Sequence, residues 1–154
     1  MSELITEILE ATRYPQTLHA MMVHLPIAIG ILGPLLTLWL IMSKGKSESV
    51  RWLVVTVYAL GVVSAVLAMQ SGHAAAEQAG VTGQVAMAVH EHEEMGEKAW
   101  AFFAACATLI ALSSIPWRPM RWGGMILGLL LSLFTFAWIA VAGHLGGMLV
   151  YEHG

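Results

Sequence analysis

GGMILGLLLSLFTFAWIAVAGHLGGMLV, residues 123–150, decides the fold. It holds no Asp, Glu, Lys or Arg and is longer than the roughly 20 apolar residues that carry a helix across a hydrocarbon core. Working outward, three more stretches of that kind appear, at about 21–42, 53–70 and 99–115, each free of charged side chains. The whole chain agrees: of 154 residues 58% are hydrophobic and 11% charged, with a mean hydropathy of +0.73, more apolar surface than a soluble domain of this size can cover. The expected fold is an all-α integral membrane protein, a four-transmembrane-helix bundle forming one membrane domain over 1–154. No internal repeat or low-complexity segment stands out.

The short links between spans one and two (SKGKSESVR) and between spans three and four (PWRPMR) carry Lys44, Lys46, Arg51, Arg118 and Arg121. By the positive-inside rule both face the cytoplasm, and Trp39, Trp52, Trp117 and Trp122 flank them as an interfacial aromatic belt would. Both termini and the connection 71–98, read as an outer loop, then lie on the periplasmic side of a bacterial inner membrane. That loop is acidic, with Glu77, Glu91, Glu93, Glu94 and Glu97 against Lys98. Residues 1–16 place Leu4, Ile5, Ile8 and Leu9 opposite Glu3, Glu7 and Glu10 at helical spacing, an interfacial segment ending at Pro15. They lack the basic start of a signal peptide, so the first span is expected to serve as the insertion signal.

Several classes of function fall away. A net charge of −3 without a basic patch argues against nucleic acid, and no CxxCH is present to attach a c-type haem. Cys106 is the single cysteine, so no disulfide closes within the chain. No ionisable side chain stands near the midplane, which disfavours a proton pump or ion-coupled transporter.

What remains is histidine. Counting helical rise from the basic links, His24 lies roughly 28 Å away, His73 roughly 31 Å, His144 roughly 33 Å and His92 roughly 36 Å, so one histidine per helix reaches a common layer. His19, His90 and His153 lie farther out, and all seven histidines fall in the outer half. Three readings compete. Imidazole can sit at a lipid interface without any ligand. Haem b takes an axial ligand from each face, and the glycines around His144, namely Gly143, Gly146 and Gly147, would give a flat macrocycle room. A copper or zinc site could instead combine these histidines with Met21, Met22, Met69, Met87, Met95, Met148 or the carboxylates of HEHEE. HEHEEMGEK is no HExxH motif, because His90 and His92 are too close in sequence to share a helix face, and His92 is preferred as the one nearer the layer.

HAMMVHLP (19–26) and the ending AGHLGGMLVYEHG (142–154) resemble a widespread bacterial family of predicted four-helix membrane proteins of unknown function. Its corresponding stretches read like HPLLVHFP and AGHLGGxLVYxHG. The resemblance marks His19, His24, Pro26, Gly143, His144, Gly146, Gly147, Tyr151, His153 and Gly154; Ala20 and Leu25 depart from it. Members are suspected of being b-type cytochromes, so the resemblance implies haem.

The expectation is therefore a membrane-anchored b-type cytochrome subunit with one or two bis-histidine haems near the periplasmic face. It would carry electrons between the quinone pool and a periplasmic redox partner such as a cytochrome, as part of a larger complex rather than as a stand-alone enzyme. His24 with His144 is the first expected ligand pair and His73 with His92 the second, while His19 with His153 could complete an outer haem. A copper- or zinc-handling protein and a non-redox anchor subunit are the alternatives.

Overall fold

The computed structural model describes residues 2–153; the side chains of Ser2, Glu3, Leu4, Ile8 and His153 lie outside the described residues. Helices are the only regular elements among them: α1 (Ser2–Ala11), α2 (Pro15–Met22), α3 (His24–Met42), α4 (Glu48–Ala79), α5 (Gly83–Leu112) and α6 (Arg118–His153). Four stretches are long and apolar enough to cross a membrane: Pro15–Met42, Glu48–Ala79, Gly83–Leu112 and Arg118–Glu152. The chain is thus an all-helical membrane protein with four spanning segments.

Local chemistry sets the boundaries. Pro15 opens α2 after an extended Tyr14, since its missing N–H is one the first turn does not use. α2 and α3 are divided only at Val23, three residues before Pro26, whose ring offers the Met22 carbonyl no N–H, and α2 packs on α4. α3 ends where Lys44 and Gly45 turn left-handed (φ 55° and 62°) and the Gly45 N–H bonds back to the Leu40 carbonyl at 3.0 Å. Ser47 caps α4, accepting from Val50 N–H at 3.3 Å.

The segment 71–98 corrects one expectation. It is no loop: α4 runs through Ala79, Gly80 turns the chain at φ 57°, and α5 starts at Gly83. Its polar composition marks helix beyond the apolar core, not irregular chain. At 1.5 Å per residue the 32 residues of α4 span about 48 Å, well over a hydrocarbon core of about 30 Å.

α3, α4, α5 and α6 pack as a ring in which each touches the next and α6 closes on α3. The polar side chains lie inside. Tyr58, Thr37, Ser113, Ser132 and Thr135 are buried with Leu40, Val54, Phe103, Cys106, Ile110 and Met125, whereas Leu35, Leu60, Leu127, Leu130 and Phe134 point outward. Thr37 Oγ1 donates to the Gly33 carbonyl and pairs with the Tyr58 hydroxyl, both at 2.9 Å, so the inner polar groups are satisfied within the bundle. Close approach depends on glycine: a Cβ on Gly124 would stand 2.5 Å from the Leu109 carbonyl oxygen.

The buried positions also reveal a duplication, contrary to the sequence reading. A shift of 73 carries buried Pro26, Gly30, Gly33, Thr37 and Leu40 of α3 onto buried Ala99, Phe103, Cys106, Ile110 and Ser113 of α5. A shift of 74 carries buried Arg51, Val54, Tyr58, Gly61 and Ala65 of α4 onto buried Met125, Gly128, Ser132, Thr135 and Ile139 of α6. The two helical hairpins thus share these ten buried positions in register. The residue types differ because each half is shaped to the other: Gly61 lies under Phe103, and Gly30 under Ile139.

Candidate functional site

At the end of the bundle away from Arg51, Arg118 and Arg121, two imidazoles meet. His19 of α2 and His92 of α5 have ring centroids 6.0 Å apart and planes at 81°. Both rings are half-buried. His19 Nδ1 lies 2.9 Å from the Ala68 carbonyl of α4, and His92 Nδ1 lies 3.0 Å from the Ala142 carbonyl of α6. A carbonyl only accepts, so in each ring Nδ1 carries the proton and donates; in the neutral imidazole Nε2 keeps its lone pair. Ser71 Oγ stands a further 3.4 Å from His19 Nδ1.

Each ring has its own cradle, and the two are built alike. One turn beyond Ala68 is Gly72, where a Cβ would stand 3.1 Å from His19 Cε1; one turn beyond Ala142 is Gly146, where it would stand 2.9 Å from His92 Cε1. The carbonyl that orients the ring and the glycine that admits it are thus four residues apart on one helix face, once on α4 and once on α6. The duplication relates all three: His19 to His92, Ala68 to Ala142, Gly72 to Gly146.

The other expected site residues lie as follows. His24 begins α3, exposed, its Nδ1 donating to the Ala20 carbonyl at 2.7 Å. His73 Nε2 lies 3.1 Å from Glu97 Oε1, joining α4 to α5 at an exposed position. His144 and His90 are exposed. Gly143 and Gly147 face open space, unlike Gly146. Among the described residues no three His, Cys, Asp or Glu side chains converge as a metal site would require. Counted along a straight helix from Ser43, His19 lies roughly 36 Å out, the depth counted for His92, although the sequence reading set it farther out. The residues that sequence reading passed over are Ala68, Ser71 and Gly72, whose signal is the parallel between AMQSG (68–72) and AGHLG (142–146).

Fold and site together define a four-span membrane protein with a pair of backbone-anchored imidazoles at one end. Residues 15–154 match a family described as "Predicted membrane protein (DUF2231)", and the chain belongs to it. No curated protein and no solved structure matches the chain.

Proposed function

We propose that the protein is a membrane-anchored b-type cytochrome subunit in which His19 and His92 hold one haem b. The observation that carries this reading is the pair itself. With ring centroids 6.0 Å apart and Nδ1 of each ring tied to a carbonyl, His19 and His92 are the two imidazoles that would hold one haem together. Hydrogen bonding of each Nδ1 to a main-chain carbonyl is the outer support that ligating histidines use, fixing the tautomer and raising the basicity of Nε2. The bare backbone of Gly72 and Gly146 admits each imidazole against its helix, which holds both rings in place for a shared group. When bound, the haem supplies a one-electron iron couple, and two histidine ligands leave no open position for oxygen or substrate.

The chain's own residues do the rest. Ala68 and Ala142 orient the ligands through their carbonyls, Gly72 and Gly146 set how far the rings enter the bundle, and Ser71 adjusts the polarity at the His19 nitrogen. Lys44, Lys46, Arg118 and Arg121 at the opposite end favour a bacterial inner-membrane orientation with the imidazoles towards the periplasm. There the subunit would pass electrons between the quinone pool and a periplasmic redox protein.

The test is a reduced-minus-oxidised spectrum with a pyridine haemochrome assay on purified protein. Wild type is expected to show a b-type band that His19→Ala and His92→Ala each abolish, whereas His24→Ala and His144→Ala keep it. Native protein free of haem, or a band indifferent to His19 and His92, would overturn the reading.

A further inference from the structure

The basic end of the bundle gathers its own cluster. Five cations, Lys44, Lys46, Arg51, Arg118 and Arg121, stand there against one carboxylate, Glu48. Arg51 draws the two links together: its bonds to the Gly45 carbonyl and to Ser113 Oγ set the turn after α3 against the C-cap of α5. Lys44, left-handed at φ 55° in that turn, comes beside Pro116 and the first turns of α6. Between them lies a cavity of about 360 Å³ lined by Lys44, Pro116, Arg118, Arg121 and Trp122.

The cations of this cavity have no partner in the chain. Arg51 is committed to its two acceptors, and Lys98, outside this cluster, to Glu94. Among the described residues Lys44, Arg118 and Arg121 meet no carboxylate within ion-pair distance, and Arg121 Nε is buried without an acceptor. Glu48, the one carboxylate at this end, accepts from Trp52 Nε1 at 3.4 Å instead. A half-buried guanidinium with an unbonded nitrogen, beside two more cations, is what an anion from outside the chain would offset. Guanidinium and ammonium groups only donate, and α6 begins here, at the positive end of its dipole. The complement is an oxyanion, and arginine forks match phosphate with paired N–H···O bonds.

Depth and surface decide where the phosphate comes from. Trp39, Trp52 and Trp117, 51%, 48% and 59% exposed, ring this end as side chains at headgroup level do. From Arg118 one ridge of α6 runs through Trp122 to Ile126 and Leu130, each four residues on, and the last two are 47% and 57% exposed. An acyl chain lying on this ridge brings its phosphate to the cavity. We infer that the cavity binds the phosphate of an anionic glycerophospholipid from the adjacent leaflet, held by Lys44, Arg118 and Arg121 with an acyl chain along Ile126 and Leu130. The site lies at the opposite end from the imidazole pair and does not depend on haem.

The experiment is native mass spectrometry of the full chain, delipidated in a neutral detergent and titrated with palmitoyl-oleoyl-phosphatidylglycerol, with phosphatidylcholine of the same acyl chains, and with inorganic phosphate. Saturable binding of phosphatidylglycerol is expected, at least about tenfold tighter than that of phosphatidylcholine, whose trimethylammonium the cations repel, and it is expected to survive excess inorganic phosphate. Arg121→Gln is expected to weaken it by at least about tenfold, whereas Lys46→Gln, which removes the same charge at an exposed position outside the cavity, changes it by less than about twofold. If Arg121→Gln does not fold, Arg118→Gln reads the same loss. Equal losses from the cavity variant and Lys46→Gln would mark diffuse attraction to a basic face. Equal affinity for the two lipids would mark an acyl-chain groove, and displacement by inorganic phosphate a site for the free ion. Each of these outcomes, or the absence of saturable binding, overturns the inference.

Discussion

Nδ1 is the atom that separates the seven histidines. At His19 and His92 it is held by the carbonyl of another helix, at His24 by one in its own segment, and at His73 the bonded nitrogen is Nε2 instead. Only a cross-helix bond fixes a ring relative to the whole bundle. Glycine then decides whether the ring fits. Gly146→Val is expected to displace the His92 imidazole and cut haem content by at least about tenfold, whereas Gly147→Ala, which faces open space, leaves it unchanged; haem per protein from the pyridine haemochrome checks both. At this scale the sequence pointed to the histidine-rich end and to His19, His92 and Gly146 among others. It ranked His24 with His144 first and did not pair His19 with His92, since that pairing depends on which carbonyl each ring meets, and Ala68 and Ala142 contribute through backbone that has no signature of its own.

Helix ends were legible where punctuation is chemical: Pro15 and the link that holds Lys44 and Gly45 both mark boundaries. The 71–98 segment misled because polarity suits an exposed helix as well as a loop. At the basic end one side chain ties three elements: Arg51, 5% exposed on α4, donates from Nη2 to the Gly45 carbonyl at 2.6 Å and from Nε to Ser113 Oγ at 3.1 Å. Arg51→Ala takes the guanidinium donor from the buried Gly45 carbonyl and leaves Ser113 Oγ with only its own bond to the Ile110 carbonyl, and is expected to destabilise the bundle by about 2 kcal/mol, read as a lowered thermal midpoint by circular dichroism in detergent. Between α5 and α6, Gly124→Ala sets a methyl against main chain that cannot rotate aside. A loss of about 2 kcal/mol is expected in the same assay, against no change for Gly123→Ala, whose Cβ would meet open space.

Across the whole molecule, the charge-free spans were enough for the fold class, and four crossings place both termini on one side. Cys106 is fully buried and should stay silent towards maleimides, so single cysteines can report orientation in the native background. Tyr151→Cys is expected to label from outside intact cells with an impermeant reagent and Lys46→Cys only after permeabilisation; the opposite pattern would reverse the orientation. The duplication was hidden from sequence for a physical reason. Where two copies interlock, a large residue on one faces a small one on the other, so Gly30 answers to Phe103 and Tyr58 to Ser132. The repeat survives in position, not in residue type.

Joining the copies in one chain removes a restriction that identical subunits obey. In a symmetric homodimer any change made on one side is made on both, so a tryptophan that shuts one groove shuts its twin. A covalent tandem is free to diverge: on α6 the Trp138 indole reaches across to the Met95 carbonyl, at the matching place on α4 Ser64 bonds only within its own helix, and the paired imidazoles keep matched supports.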